Sequence, residues 1–132
     1  MSSHATTVVT GVDFVSVPTR DLERAVAFYG ETLALPRSAY RPERNFAEFE
    51  TGTVTLNVHD PVKMGIGELR PNANHIALHV EDVAAARSAL QERGVTFMGD
   101  IFDTGVCHMA FFADPDGNAM MLHHRYAPRT SE

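Results

Sequence analysis

Two stretches of this chain, 61 residues apart, follow one plan. Residues 12–29 read V-D-F-V-S-V-P-T-R-D-L-E-R-A-V-A-F-Y, and residues 73–90 read A-N-H-I-A-L-H-V-E-D-V-A-A-A-R-S-A-L. Each opens with alternating residues, which is a strand signal. Val15 and Val17 answer to Ile76 and Leu78. Each then reaches an aspartate, Asp21 or Asp82, placed as a helix N-cap. A helical stripe follows: Leu22, Val26, Tyr29 and Leu33 in the first copy, Val83, Ala86 and Leu90 in the second. Pro36 closes the first helix, and Gly94 stands where a C′ glycine would end the second. Three short extended stretches come after each helix. They are predicted near 37–41, 45–50 and 53–59, with a turn at Thr51-Gly52, and near 95–102, 106–113 and 118–125. The turns of the second set are Asp103-Thr104-Gly105 and Asp114-Pro115-Asp116-Gly117. The closing strands also match, L-N-V-H (56–59) mirroring M-L-H (121–123). The plan is α+β, two tandem βαβββ modules. The first spans 11–60 and the second 73–126. Residues 61–72, with Pro and Gly at intervals and no period, read as a linker. Residues 1–10 and 127–132 read as tails.

Composition narrows the function classes. A chain of 132 residues is one domain by length. A net charge of −6, with eleven scattered basic residues, argues against a nucleic-acid partner. A single cysteine, Cys107, allows no internal disulfide and points to a reducing compartment. The opening Met-Ser-Ser-His-Ala-Thr-Thr lacks the basic and apolar regions of a signal peptide. No apolar run approaches membrane-spanning length. The expectation is a soluble cytoplasmic protein without a membrane partner.

Side chains alternate across a strand, so each sheet has two faces. Val15 and Val17, or Ile76, Leu78 and Val80, form one face of the opening strands, to be covered by the helices. Val54, Leu56 and Val58, or Met120 and Leu122, continue it on the closing strands. The opposite, front face carries Phe14, Ser16, Thr55, Asn57 and His59 in the first module. In the second it carries His75, Ala77, His79, Met121 and His123. Two fronts side by side would line a mixed, partly apolar cleft, the usual form of a small-molecule site.

The residues that carry this plan resemble a known family. D-F-V-S-V-P-T-R-D-L-E-R-A-V-A-F-Y-G-E-T-L is similar to the opening of a vicinal oxygen chelate module. N-H-I-A-L-H-V-E-D-V and F-F-A-D-P-D-G-N-A-M-M-L are similar to the start and end of the second module. This superfamily includes glyoxalase I, bleomycin resistance proteins, fosfomycin resistance enzymes and extradiol dioxygenases. The resemblance covers residues 11 to 125 and implies an open, cupped barrel with the helices outside. In metal-dependent members a divalent ion sits in the cup, held from the first and last strand of each module by His, Gln or Glu. The matching positions here hold Phe14, Asn57, His75 and Met121. A phenyl ring has no donor atom, a thioether suits soft metals, and an amide is a modest donor. The expectation is therefore no metal cofactor.

Seven histidines leave alternatives open. They are hydrogen-bonded pocket or core residues, or His75 with His59 and His123 forms a displaced divalent-metal site, or His75 or His123 acts as an acid–base group. With Glu48 and Glu50 read as rim or solvated charges, no carboxylate stands on the front to orient an imidazole. His4 lies in the tail, His124 faces away from the cup, and the face of His108 is ambiguous. Cys107 reads as a small core residue. Two functions follow. One is a metal-free binder that holds a small organic molecule, a drug or metabolite, against Phe14, Met121 and Phe112. Ser16, Asn57, His59, His75, His79 and His123 would be its polar anchors, and the resemblance implies a homodimer with sites between subunits. The other is a metal-dependent lyase, isomerase or dioxygenase using the displaced histidines.

Overall fold

The computed structural model describes residues 6–129. The first module runs β1 (Phe14–Pro18), α1 (Leu22–Ala27), β2 (Arg37–Arg41), β3 (Phe46–Glu50) and β4 (Thr55–His59). After a short helix, α2 (Pro61–Met64), the second runs β5 (Ile76–His79), α3 (Val83–Glu92), β6 (Phe97–Asp103), β7 (Cys107–Ala113) and β8 (Ala119–Arg125). The strand orders are β1-β4-β3-β2 and β5-β8-β7-β6. In both sheets the opening strand pairs parallel with the closing one and the other pairs are antiparallel. The duplicated βαβββ plan is thus the architecture, with two open sheets and no closed barrel among the described residues.

Local chemistry sets the elements. Asp21 accepts from the Arg24 N–H and Asp82 from the Ala85 N–H, so both predicted N-caps are made. Gly94 has φ +93°, the left-handed conformation that stops α3. Two features depart from the sequence expectation. The first helix does not stay α-helical: from Phe28 to Thr32 it widens into a π turn, closed by the Leu33 N–H on the Phe28 carbonyl at 2.9 Å. Gly30 lies in that turn, where a Cβ would come within 3.3 Å of the Phe49 ring. The linker, expected to be without structure, contains α2, whose cap is the buried Asp60 accepting from the Lys63 N–H. Four helical residues are too few to show a period.

The backs of both sheets and the inner sides of α1 and α3 merge into one core. It runs from Val17, Tyr29, Phe49 and Leu56 to Val83, Leu90, Phe112, Met120 and Leu122. The D-P-D-G-N turn joins the modules. Tyr29 donates its hydroxyl to Asp114 at 2.6 Å. Asp116 accepts from the Thr19 hydroxyl at 2.6 Å, the Arg20 N–H at 3.0 Å and the Arg24 guanidinium at 2.9 Å. Asn118 donates to the Pro18 carbonyl at 2.8 Å and accepts from the Asn72 N–H at 2.8 Å. Burial and the Asp114 carboxylate push the Tyr29 phenol far above its ordinary pKa, so it remains a donor. No helix among the described residues is long and apolar enough to cross a membrane.

Candidate functional site

Strand register fixes which side chains share the front of the first sheet. Phe14 lies opposite Thr55 and Ser16 opposite Asn57. On the next strand Glu48 lies opposite Asn57, Glu50 opposite Thr55 and Phe46 opposite His59. This corrects the expectation that no carboxylate stands on the front. Ala47 and Phe49 are wholly buried, so the alternation sends both glutamates to the other side. That apolar alternation in F-A-E-F-E was the available signal. Glu48 accepts from the Asn57 amide at 3.0 Å. Glu50 accepts from the hydroxyls of Ser38 and Thr55, which hold its carboxyl below the usual range. His59 is half-buried, and its Nδ1 has no hydrogen-bond partner among the described residues.

The second front has a different character. Met121 lies opposite Ala77 and His123 opposite His79. Behind them Phe111 lies opposite Met121 and Met109 opposite His123. The His75 ring meets Phe111 edge to face with centroids 5.0 Å apart. Phe112, expected against the ligand, instead sits in the core beside Phe97 at 5.3 Å. Its neighbour Phe111 takes the front, because Phe112 pairs with the buried Met120. Cys107 is buried, as expected.

The remaining histidines are also placed. His108 lies opposite His124, 3.4 Å from Asp103 and with its ring 4.7 Å from that of Tyr126. His79 makes its contacts at the sheet edge, with Nε2 3.2 Å from Glu81 and its ring 5.8 Å from that of His124. Among the described residues, the donors that converge belong to His79, Glu81 and His124. The set of His59, His75 and His123 is not brought together in this way. His4 lies outside the described residues.

The expectation that the fronts close on a cleft is not met within one chain. Within one chain Phe14, Ser16, His75 and Ala77 stay exposed, as do Met98 and Phe102 of β6. A cavity of about 630 Å³ lies instead between the apolar backs, lined by Val15, Leu33, Leu56, Ile76, Leu78 and Leu122. The metal implied by the resemblance does not fit its four positions. Phe14 offers no lone pair, Asn57 offers only a neutral amide oxygen, Met121 offers a thioether, and His75 alone is a good ligand.

The sequence pattern of the "Glyoxalase/Bleomycin resistance protein/Dioxygenase superfamily" matches residues 11–122. Among solved structures, the chain is similar to TnmS3, an antibiotic binding protein from Streptomyces sp. CB03234. Identity is 32%, the TM-score is 0.72, and the match covers 91% of this chain and 99% of that one. A glyoxalase/bleomycin resistance protein from the same organism is 30% identical, with TM-score 0.69 and coverages of 87% and 100%. A lactoylglutathione lyase from Agrobacterium tumefaciens shares the fold at 16% identity, with TM-score 0.73 and coverages of 88% and 94%. No curated protein matches the sequence.

Proposed function

Because the chain belongs to the glyoxalase/bleomycin resistance protein/dioxygenase superfamily, we propose that it binds a small organic molecule, without a divalent metal at the superfamily's usual positions. The observation that carries this reading is the chemistry of the two fronts. One is a wall of His75, Phe111, Met109 and Met121, and the other is polar, with Glu48, Asn57 and Ser16. Methionine and aromatic side chains adapt to apolar ligand bodies, and a few polar groups fix orientation. The unpartnered Nδ1 of His59 supports the same reading, since a buried polar atom needs a partner that a ligand can supply. So does the antibiotic-binding neighbour at 32% identity, which favours sequestration of a drug or metabolite.

The exposed Phe14, Met98 and Phe102 favour a homodimer in which a second copy covers the fronts. The ligand would then lie between subunits. The test follows thermal stability of the chelator-treated protein against a panel of aromatic antibiotics and metabolites, with size-exclusion chromatography for the dimer. A specific ligand at 100 times its Kd adds about 2.7 kcal/mol. Phe111→Ala and Met121→Ala should each weaken the response. Stabilisation by metals alone, with no organic ligand active, would overturn the proposal.

A further inference from the structure

The fronts leave unused the one cluster of metal-type donors that converges among the described residues. Where β5 ends, His79, Glu81 and His124 bring one ligand atom each within 4.8 Å of one another. His79 and Glu81 are exposed and His124 is half-buried. The parallel pairing of β5 with β8 builds the cluster. The Val80 N–H donates to the His123 carbonyl at 3.0 Å, which sets His124 beside Val80. Nδ1 of His124 then lies 3.1 Å from the Val80 carbonyl oxygen. A carbonyl only accepts, so Nδ1 of the neutral ring carries the proton and Nε2 keeps its lone pair. A backbone carbonyl fixes the tautomer of metal-bound histidines in the same way.

We propose that His79, Glu81 and His124 form a binding site for a divalent cation of the zinc class. Two imidazoles and a carboxylate suit Zn²⁺, whose tetrahedral ligands at about 2.0–2.2 Å stand roughly 3.4 Å apart. His79 Nε2 and Glu81 Oε1 already stand 3.2 Å apart. The His124 ligand atom lies within 4.8 Å of both. Asp82 is committed to the α3 cap and takes no part. Three protein ligands leave the fourth position open to water or to a donor atom of a bound molecule. A cavity of about 380 Å³ lined by Glu81, His124, His108 and Tyr126 adjoins the site. His79 also borders the large apolar cavity. The site uses none of Phe14, Asn57, His75 or Met121, and it stands whether or not the fronts bind an organic molecule.

Calorimetric titration of the full chain with ZnCl₂ in a non-chelating buffer near neutral pH tests it. The expected result is one Zn²⁺ per chain, with affinity reduced at least about tenfold by His79→Ala and by His124→Ala. Glu81→Gln, at an exposed position, should weaken binding while leaving the melting temperature of the metal-free protein unchanged. Substitution by Co²⁺ should give the visible absorption of a tetrahedral site. The proposal is overturned by no binding up to about 100 μM Zn²⁺. It is equally overturned by wild-type affinity in both His79→Ala and Glu81→Gln, or by binding that His75→Ala abolishes and His79→Ala spares.

Discussion

Replacing Asp116 with alanine should cost about 3 kcal/mol. Its side chain is 1% exposed, and it takes three hydrogen bonds from the other module. The guanidiniums contribute least. Arg24 and Arg20 are 43% and 60% exposed, so water replaces the carboxylate, and together they are worth about 1 kcal/mol. The Arg20 N–H is a charge-assisted donor worth roughly 1.5 kcal/mol. Thr19 is wholly buried, but its hydroxyl also lies 3.0 Å from the Asp21 carbonyl. Its proton can turn there, which limits the loss to the lower end of about 1–3 kcal/mol. An unfolding entropy of about 2.1 cal/mol/K per residue converts the total into a fall in Tm of roughly 10 °C. Asp116→Asn keeps an acceptor for the Arg20 N–H and should lose about half as much. Urea unfolding followed by circular dichroism measures both, and the m-value should not change. A change below about 0.5 kcal/mol for Asp116→Ala would refute the reasoning. The shared core alone would then hold the modules together.

Tyr29→Phe removes the donor to Asp114, which keeps its bond from the Asn118 amide at 2.7 Å. The expected loss is about 1–2 kcal/mol by urea titration, and an unchanged midpoint would contradict it. Phe14→His with Met121→Glu should create a His–His–Glu set with His75 and raise Zn²⁺ or Ni²⁺ affinity at least about a hundredfold over the parent. Unchanged affinity in a titration would mean that positions 14, 75 and 121 do not converge in the assembled protein. Asp103 is held below the ordinary aspartate range by the Gly105 N–H and then by the Tyr126 hydroxyl. A depressed folded-state pKa favours folding above the unfolded value, about 3.9, and that contribution fades as pH falls through the folded one. Tyr126→Phe should move the Asp103 carboxyl upward in an NMR titration, and no movement would exclude the hydroxyl as a cause.

The fold was legible because the repeat writes each local decision twice. Asp21 and Asp82 both cap, and Gly94, Gly105 and Gly117 all take positive φ at the ends or turns read for them. The strand faces followed from alternation wherever one side was plainly apolar. The π turn escaped because Leu22, Val26, Tyr29 and Leu33 keep a helical stripe whether or not the last turn widens. Phe111 and Phe112 escaped for a related reason. In M-A-F-F-A the apolar residues run on without alternation, and only the antiparallel partners Met121 and Met120 assign the faces.

The sites were less legible than the fold because their residues act across strands and between modules. Asp114, Asp116 and Asn118 were visible as turn residues, yet their acceptors and donors serve Tyr29, Thr19, Arg20 and Pro18, some 85 to 100 residues away. Glu81 lies just ahead of the Asp82 cap, and His124 was read as facing away from the cup. That reading of His124 is compatible with the structure. The same turn away from the cup points its ring past the end of β5, where the Val80 carbonyl can fix its tautomer. A residue on the wrong face for one site is thereby set up for another. The loss of donors at Phe14, Asn57 and Met121 therefore bears on those positions alone. The metal chemistry of this chain has to be judged from whichever donors the strand register brings together, and among the described residues these are His79, Glu81 and His124.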